Sequence, residues 1–179
     1  MFAGAMQTAQ FAVIDRRLLG PDKDIAELKE KVDFFVQTQT PPIQGVFYDG
    51  QLWDACSLVE KLVARAKTSI LLIDNWVGTE TLDMLAKKRK GVSVTIVTSE
   101  HKDRKGKPRP MLAATDIAEF NAQYPTLTVK YSEKFHDRFL VLDDKELCLI
   151  GASLKDLGKK CFAFTKLDAN EIAGLKARV

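Results

Sequence analysis

Residues 135–144, FHDRFLVLDD, form the most informative stretch of this 179-residue sequence. Between its polar ends the stretch is apolar on both alternating faces, which predicts an interior strand. Because residues i and i+2 of a strand share a face, His136 and Arg138 are expected to project together. An imidazole can attack phosphorus or transfer a proton, and a guanidinium can hold two phosphate oxygens. The pair therefore predicts a phosphate site.

A hairpin is predicted where this strand meets the next apolar run. If residues 144–145 form a two-residue turn, Arg138 faces Gly151 and His136 faces Ser153. Directly opposed residues of an antiparallel pair point to the same side, so the imidazole, the guanidinium and the hydroxyl are expected to converge. Gly151 is expected to leave space for a ligand.

The same geometry places two further residues. Lys155 lies two residues beyond Ser153 on the same predicted face, where it is expected to add a phosphate contact. Asp143 lies roughly 16 Å beyond Arg138 along an extended strand, and on the opposite face. We therefore predict that Asp143 has a structural role.

Strands and helices alternate over most of the chain, which predicts an α/β fold with helices covering a sheet. Strands are predicted at residues 46–48, 70–73, 92–98, 127–131, 138–142, 147–150 and 162–164, and helices at 52–66, 80–88, 113–123 and 169–176. Two adjacent prolines at 41–42 interrupt regular structure. Residues 1–40 are thus predicted to be an N-terminal helical and linker segment, and residues 41–179 a domain.

The N-terminal segment contains a predicted helix at residues 24–36 with a narrow apolar stripe. The stripe consists of Ile25, Leu28, Val32 and Phe35. It is typical either of a helix lying on the core of its own domain or of a dimer-forming helix, and the sequence leaves both open. The abrupt apolar start of the chain favours continuation from an upstream module.

Positive charge is concentrated in one segment, although the net charge is only +3. Residues 87–110 contain nine Lys and Arg residues against two Asp and Glu residues. The part of the segment predicted to be an irregular loop contains Lys102, Arg104, Lys105, Lys107 and Arg109. A concentrated basic segment is typical of a protein that binds polyanions, and a solvated surface is the alternative.

The composition excludes several classes of protein. Hydrophobic residues make up 46% and charged residues 28% of the sequence, as in a soluble globular domain. No apolar run approaches the roughly 18 residues that a membrane span needs, and no secretory leader is recognisable. The three cysteines are widely spaced, which favours reduced thiols in the cytoplasm. With only two histidines, a multi-histidine metal site is excluded.

One pattern in the sequence resembles the signature of a known family. It consists of His136-x-Arg138-x4-Asp143 and, further on, Gly151-Ala152-Ser153. The phospholipase D superfamily has His-x-Lys-x4-Asp followed by a Gly-Ser-x-Asn segment. Residues 45–168 are most similar to phospholipase D-like C-terminal domains of phage- and virulence-associated bacterial proteins, in which a separate N-terminal module often binds DNA. The chain differs in its arginine, in a spacing to Gly151 that is one residue longer, and in lacking a counterpart of the terminal Asn.

This resemblance implies a phospholipase D-like α-β-α sandwich with a mixed sheet, and a metal-independent phosphodiesterase that needs no cofactor. His136 would be the nucleophile that forms a phosphohistidine, or else the acid. Arg138 would hold the phosphate and Ser153 would contact it. The carboxylate that orients the histidine would be Asp74 or Asp168, and the sequence does not choose between them.

The catalytic chemistry implied by the resemblance predicts a homodimer. One group must attack phosphorus and another must protonate the leaving oxygen, and the chain has one motif. His101 lies in a proline-bearing loop and is a poor second candidate. A two-fold homodimer would place His136 of both chains near its axis.

Two functions therefore remain open for the domain. The first is a nuclease-like phosphodiesterase acting on DNA or RNA. The second is a nucleic-acid- or phosphate-binding and dimerisation module, with little or no catalytic activity, of a larger DNA-binding regulator. The resemblance favours the enzyme, and no feature of the sequence predicts a membrane partner.

Overall fold

The structure is a computed structural model, and it describes residues 25–32, 44–102 and 104–179. Internal contacts divide the chain into two units, Met1–Pro42 and Ile43–Val179. In the first unit, residues 25–32 form helix α1, in which Glu27 and Lys31 pair at 2.6 Å. Phe35 and the predicted linker lie outside the described residues.

The second unit is built around a mixed sheet. Its strands, within the described residues, are β1 (Gln44–Phe47), β2 (Ser69–Ile73), β3 (Ser93–Thr98), β4 (Leu127–Tyr131), β5 (Arg138–Leu142), β6 (Glu146–Ile150) and β7 (Phe162–Leu167). Across the sheet they lie in the order β1-β7-β6-β5-β2-β3-β4. β2, β3 and β4 are parallel to one another, whereas β5 runs antiparallel to β2 and the remaining pairs are antiparallel.

Helices cover both faces of this sheet, as the alternating pattern predicts. They are α2 (Leu52–Arg65), α3 (Thr79–Leu85), α4 (Ala114–Gln123) and α5 (Glu171–Lys176), with a short 3₁₀ helix at Leu154–Asp156. Ile70 and Leu72 of β2 pack into the core beneath α2, α3 and α4, and Leu71 and Ile73 pack beneath α5. This two-sided burial explains why β2 and β5 are apolar at successive positions. The predicted α/β class and mixed sheet are confirmed, and no helix in the described ranges is long and apolar enough to cross a membrane.

The β5–β6 hairpin differs from the predicted one by one residue. Leu142 pairs with Glu146, so the turn contains residues 143–145, and Arg138 faces Ile150. The predicted pairing of Arg138 with Gly151 is therefore wrong.

The cause of this shift is the conformation of Asp143 and Asp144. Both residues have left-handed backbones, with φ of 55° and 53°, which removes Asp143 from the ladder. Its carboxylate accepts hydrogen bonds of 2.7–3.1 Å from the backbone amides of residues 67–69, and one of 2.9 Å from the Thr68 hydroxyl. Asp143 thus holds the hairpin against the start of β2.

Replacing Asp143 by alanine is expected to lower the free energy of unfolding by about 3 kcal/mol, because the variant lacks several hydrogen bonds to a charged group. Asp143→Asn keeps one acceptor and tolerates the left-handed backbone, so it should cost less. Urea denaturation at pH 7 measures both differences.

The effect of Asp143 should also depend on pH. Desolvation acts to raise the pKa of this carboxyl, but the hydrogen bonds from Thr68, Ser69 and Lys67 lower it to about 2, from 3.8 in the unfolded chain. The stabilisation is therefore present above about pH 4 and is lost as the pH falls towards 2. Unfolding of Asp143→Asn and wild type should converge over that range, and a constant difference would contradict this role.

Candidate functional site

The ends of β2 and β5 bring Asp74 and Arg138 together. The β2–β5 register pairs Ile73 with Phe139, so its extension by one residue places Asp74 opposite Arg138 on the same face of the sheet. Asp74 is fully buried, and its Oδ1 lies 4.0 Å from Arg138 Nε. Of the two candidate acids, Asp74 is thus the one beside Arg138.

Asp74 also organises the segment that follows β6. Its Oδ2 accepts hydrogen bonds from Ser153 Oγ at 2.8 Å and from the Leu154 amide at 2.9 Å. Ser153 is 5% exposed, and its hydroxyl can alternatively donate to the Trp76 carbonyl at 2.6 Å. The predicted partners Arg138 and Ser153 therefore meet through a buried carboxylate rather than by direct pairing across the hairpin.

Two buried polar atoms flank Asp74 without a hydrogen-bond partner among the described residues. They are Arg138 Nε and Thr98 Oγ1. The parallel pairing of Ile73 with Val97 places Thr98 beside Asp74, so both atoms lie at the same edge of the sheet. A buried N–H without an acceptor is costly, and a ligand oxygen would satisfy it.

A cavity of about 570 Å³ lies in front of Arg138. It is lined by Trp76, Arg138, Gly151, Ala152, Ser153, Lys155, Asp156, Lys159, Lys160 and Cys161, and we call it the Arg138 cavity. Asp156 lies among these cations and pairs with Lys155 and Lys159. Hydrogen bonds from the two lysines hold the pKa of the Asp156 carboxyl below its usual value. Four cations around the half-buried Asp156 and the buried Asp74 leave the cavity positively charged, which suits an anion such as phosphate.

Gly151 has a role different from the predicted one. Its amide donates to the Ala163 carbonyl at 2.8 Å, and a Cβ at this position would lie 2.9 Å from that oxygen. The missing side chain of Gly151 therefore accommodates the backbone of β7, while Gly151 itself still lines the Arg138 cavity.

His136 does not line the Arg138 cavity. Its side chain is 98% exposed, and Nδ1 lies 3.4 Å from the Asp137 carboxylate. The reason is that β5 begins at Arg138, so His136 precedes the strand and the alternation of a strand does not apply to it. The structure brings Arg138, Ser153 and Lys155 together and leaves the imidazole in solvent.

Asp168 lies at the end of β7 away from the cavity. It is exposed, and its Oδ1 accepts a hydrogen bond of 2.9 Å from the Asn170 amide just before α5. Its contacts are those of a residue at a helix start.

Three residues that the sequence patterns did not assign to the site also lie at this edge of the sheet. Asn75 Nδ2 donates to the Phe135 carbonyl, and the Asn75 carbonyl lies 2.6 Å from His101 Nε2. The Trp76 ring packs on His101, with centroids 4.4 Å apart. These residues follow the carboxyl ends of the parallel strands β2 and β3, where ligand sites of open α/β sheets lie, and that rule could have identified them.

The basic loop, residues 102–109, starts beside these residues. It is exposed where described, a bridge pairs Lys102 with Pro108, and the Arg109 amide donates to the His101 carbonyl at 2.7 Å. The base of the loop is therefore fixed next to Trp76, at the rim of the Arg138 cavity. The predicted contributors Lys102, Arg104, Lys105, Lys107 and Arg109 all have exposed side chains.

Part of the positive segment is structural. Lys88 is 8% exposed, and its ammonium donates to the carbonyls of Val92 and Pro125, while burial lowers its pKa. Arg89 donates to the Ala64 carbonyl at 2.9 Å. Two cations of the positive segment, Lys88 and Arg89, are thus engaged by backbone carbonyls.

The sequence matches no protein-family model, and no curated protein matches it either. Among solved structures, the chain is similar to TrmBL2, an archaeal chromatin protein whose structure shows a novel mode of DNA binding. The TM-score is 0.50 and the identity 19%, and the match covers 96% of this chain and 63% of TrmBL2. This chain thus spans less than two thirds of TrmBL2. Nuc from Salmonella typhimurium, a phospholipase D family member, has a TM-score of 0.50 and 19% identity, over 75% of this chain and 89% of Nuc. In its fold, this chain is phospholipase D-like.

Proposed function

We propose that this domain binds nucleic acid by holding a backbone phosphate in the Arg138 cavity. The observation that carries the proposal is Arg138, whose buried Nε has no hydrogen-bond acceptor among the described residues and which lines a cavity together with three lysines. The planar fork of donors of a guanidinium matches the geometry of phosphate oxygens.

The basic loop favours the binding of a long polyanion over that of a small anion. Its base is joined to His101, and His101 contacts Trp76 at the cavity rim. Cations on an exposed loop contact backbone phosphates irrespective of sequence. A phosphate chain that enters the cavity would thus meet further positive charge on the loop.

The structural neighbours agree with this proposal. TrmBL2 is an archaeal chromatin protein that binds DNA. We extend DNA or RNA binding to this chain because the cavity and the basic loop provide the required positive charge. We also propose that the protein is cytoplasmic, because its three cysteines are free thiols.

Fluorescence anisotropy tests the proposal directly. A fluorescein-labelled 20-nucleotide strand and a 20-base-pair duplex are titrated with the full chain between 50 and 200 mM salt, with EDTA present. We expect binding that weakens steeply with salt and is displaced by inorganic pyrophosphate. Absence of binding to both probes at 50 mM salt would overturn the proposal.

Reversal of the charge of the basic loop is expected to weaken nucleic-acid binding at least about tenfold and to flatten its salt dependence. The variant carries Lys102→Glu, Arg104→Glu, Lys105→Glu and Lys107→Glu. The slope of log K against log salt concentration should fall by roughly 0.9 for each phosphate that the loop no longer neutralises. A matched control reverses the same number of exposed cations elsewhere, at Lys61, Lys67, Lys145 and Lys176. Equal weakening by both sets would show that only net charge matters.

Hydrolysis is the second candidate function, and the likeness of the fold to Nuc, a phospholipase D family member, supports it, whereas His136 lies outside the Arg138 cavity. Asn75 holds the preceding Phe135 carbonyl at 2.6 Å, and Arg138 begins β5 two residues later. His136 therefore lies between two fixed points, and its exposed ring contacts the Asp137 carboxylate. The imidazole would attack phosphorus, the phosphorus–oxygen bond to the leaving group would break, and water would then hydrolyse the phosphohistidine.

The same chemistry motivates the proposal of a homodimer without a metal ion. The leaving oxygen must receive a proton, and a two-fold axis would supply a second His136 for that step. In α1 the apolar side chains of Ile25, Leu28 and Val32 are 50–62% exposed, which suits a helix that pairs with a second copy. The homodimer is therefore proposed together with hydrolysis.

A further inference from the structure

Trp76 is an exposed aromatic residue at the rim of the Arg138 cavity. It follows β2 by three residues, lines the cavity together with Arg138 and Lys155, and is 46% exposed. Trp53, Tyr48 and Tyr131 are also exposed, but Trp76 is the one of these aromatic residues that lines the Arg138 cavity. Since an indole carries no charge that would bind a phosphate, we expect Trp76 to contact a different part of the ligand.

The position of Trp76 is fixed before any ligand binds. Its amide donates to Asp74 Oδ1 at 2.9 Å, and its carbonyl can accept from Ser153 Oγ at 2.6 Å. Its ring packs on His101, which lies within 2.6 Å of the Asn75 carbonyl and is held there. Because a carbonyl can only accept, Nε2 of His101 is the donor. A side chain held in this way loses little conformational entropy when a ligand packs on it.

We propose that Trp76 stacks on a nucleobase whose adjoining phosphate occupies the Arg138 cavity. This inference rests on the proposed phosphate site and names the form of nucleic acid that fits it. Every base has a π-face, so stacking on an aromatic side chain needs no particular sequence. A base inside a duplex is already stacked on both sides, and the site therefore takes an unpaired nucleotide of a single strand or strand end.

The second tryptophan provides a matched control. The chain has two tryptophans, and Trp53 on α2 is 84% exposed and is absent from the lining of the Arg138 cavity. Trp53→Ala removes a comparable exposed surface without touching the proposed platform.

The test uses the full chain and three fluorescein-labelled probes with EDTA present: a 12-nucleotide thymidine strand, an abasic strand of the same length, and a 12-base-pair duplex. Wild type is expected to bind the thymidine strand about tenfold more tightly than the abasic strand. Trp76→Ala should remove that difference, so that this variant binds the two strands with equal affinity. Trp53→Ala should behave as wild type, and Trp76→Phe should keep part of the preference.

A fluorescence measurement keeps the native platform intact. In Trp53→Phe the remaining indole is Trp76, and its emission is expected to be quenched by an unlabelled thymidine strand but not by the abasic strand. Equal affinity for the two strands in wild type, or no quenching, overturns base stacking and leaves the phosphate site standing. If neither strand nor duplex binds at 50 mM salt, the proposed function itself fails.

Discussion

Replacing His136 by alanine is expected to reduce phosphodiester hydrolysis at least about a thousandfold, because the variant lacks the group that attacks phosphorus. Folding should be unaffected: the side chain is 98% exposed, and substitutions of such residues change stability by about 0.5 kcal/mol or less. The measurements are hydrolysis of bis(4-nitrophenyl) phosphate and of labelled oligonucleotides in EDTA, with thermal unfolding as the check on structure.

The His136 variant also separates the two candidate functions. His136 does not line the Arg138 cavity, so His136→Ala should bind nucleic acid as wild type does. Lys134→Ala is the matched control for hydrolysis, since it changes a nearby exposed side chain and leaves both the imidazole and its Asp137 contact in place. Hydrolysis that survives in His136→Ala, or that disappears on chelation in wild type, would contradict the proposed mechanism. Binding without any hydrolysis in wild type would leave the binding module as the function.

Mixing the inactive variant with wild type tests whether the site is shared between two chains. In a homodimeric site, excess His136→Ala should reduce the activity of wild type beyond dilution, because most wild-type chains then pair with the variant. Analytical ultracentrifugation should show a particle of about twice the 20.0 kDa chain mass. A fully active monomer would require a proton donor from the same chain.

Replacing Arg138 by alanine is expected to weaken nucleic-acid binding by a factor of about 10 to 150, since hydrogen bonds to charged groups contribute about 1.5–3 kcal/mol. Hydrolysis should fall at least as much. Arg138→Lys keeps the charge but not the fork of donors, so it should recover only part of the affinity. Anisotropy titrations at two salt concentrations measure these differences.

Arg65 provides the control for the effect of Arg138 on stability. Removing Arg138 leaves the buried Asp74 without its nearby cation, and we expect a loss of stability as well as of binding. Arg65 forms a partly buried pair with Glu146 at 2.6 Å and does not line the Arg138 cavity. Arg65→Ala should therefore reduce stability and leave binding unchanged. If both variants weaken binding equally, Arg138 acts through the fold and not through a phosphate.

The arrangement of strands and helices could be predicted from the sequence because it depends on local periodicity. The apolar run at 138–142 and the alternation of strands with helices identify an interior strand and an α/β sheet. The hairpin register could not be predicted, since it depends on hydrogen bonds that the Asp143 carboxylate accepts from the amides of residues 67–69, more than seventy positions away. A one-residue change in the turn moves every pairing of the hairpin.

The sequence by itself determined the α/β class, the strand that carries Arg138, and the concentration of positive charge near residue 100. Only the tertiary structure decided which side chains share a cavity. It placed Asp74 rather than Asp168 beside Arg138, because extension of the β2–β5 register brings them opposite each other. It also brought Trp76 to the cavity rim against His101, since the carboxyl ends of β2 and β3 lie side by side. Periodicity reports which face of an element is apolar, whereas contacts between distant segments depend on how the whole sheet pairs.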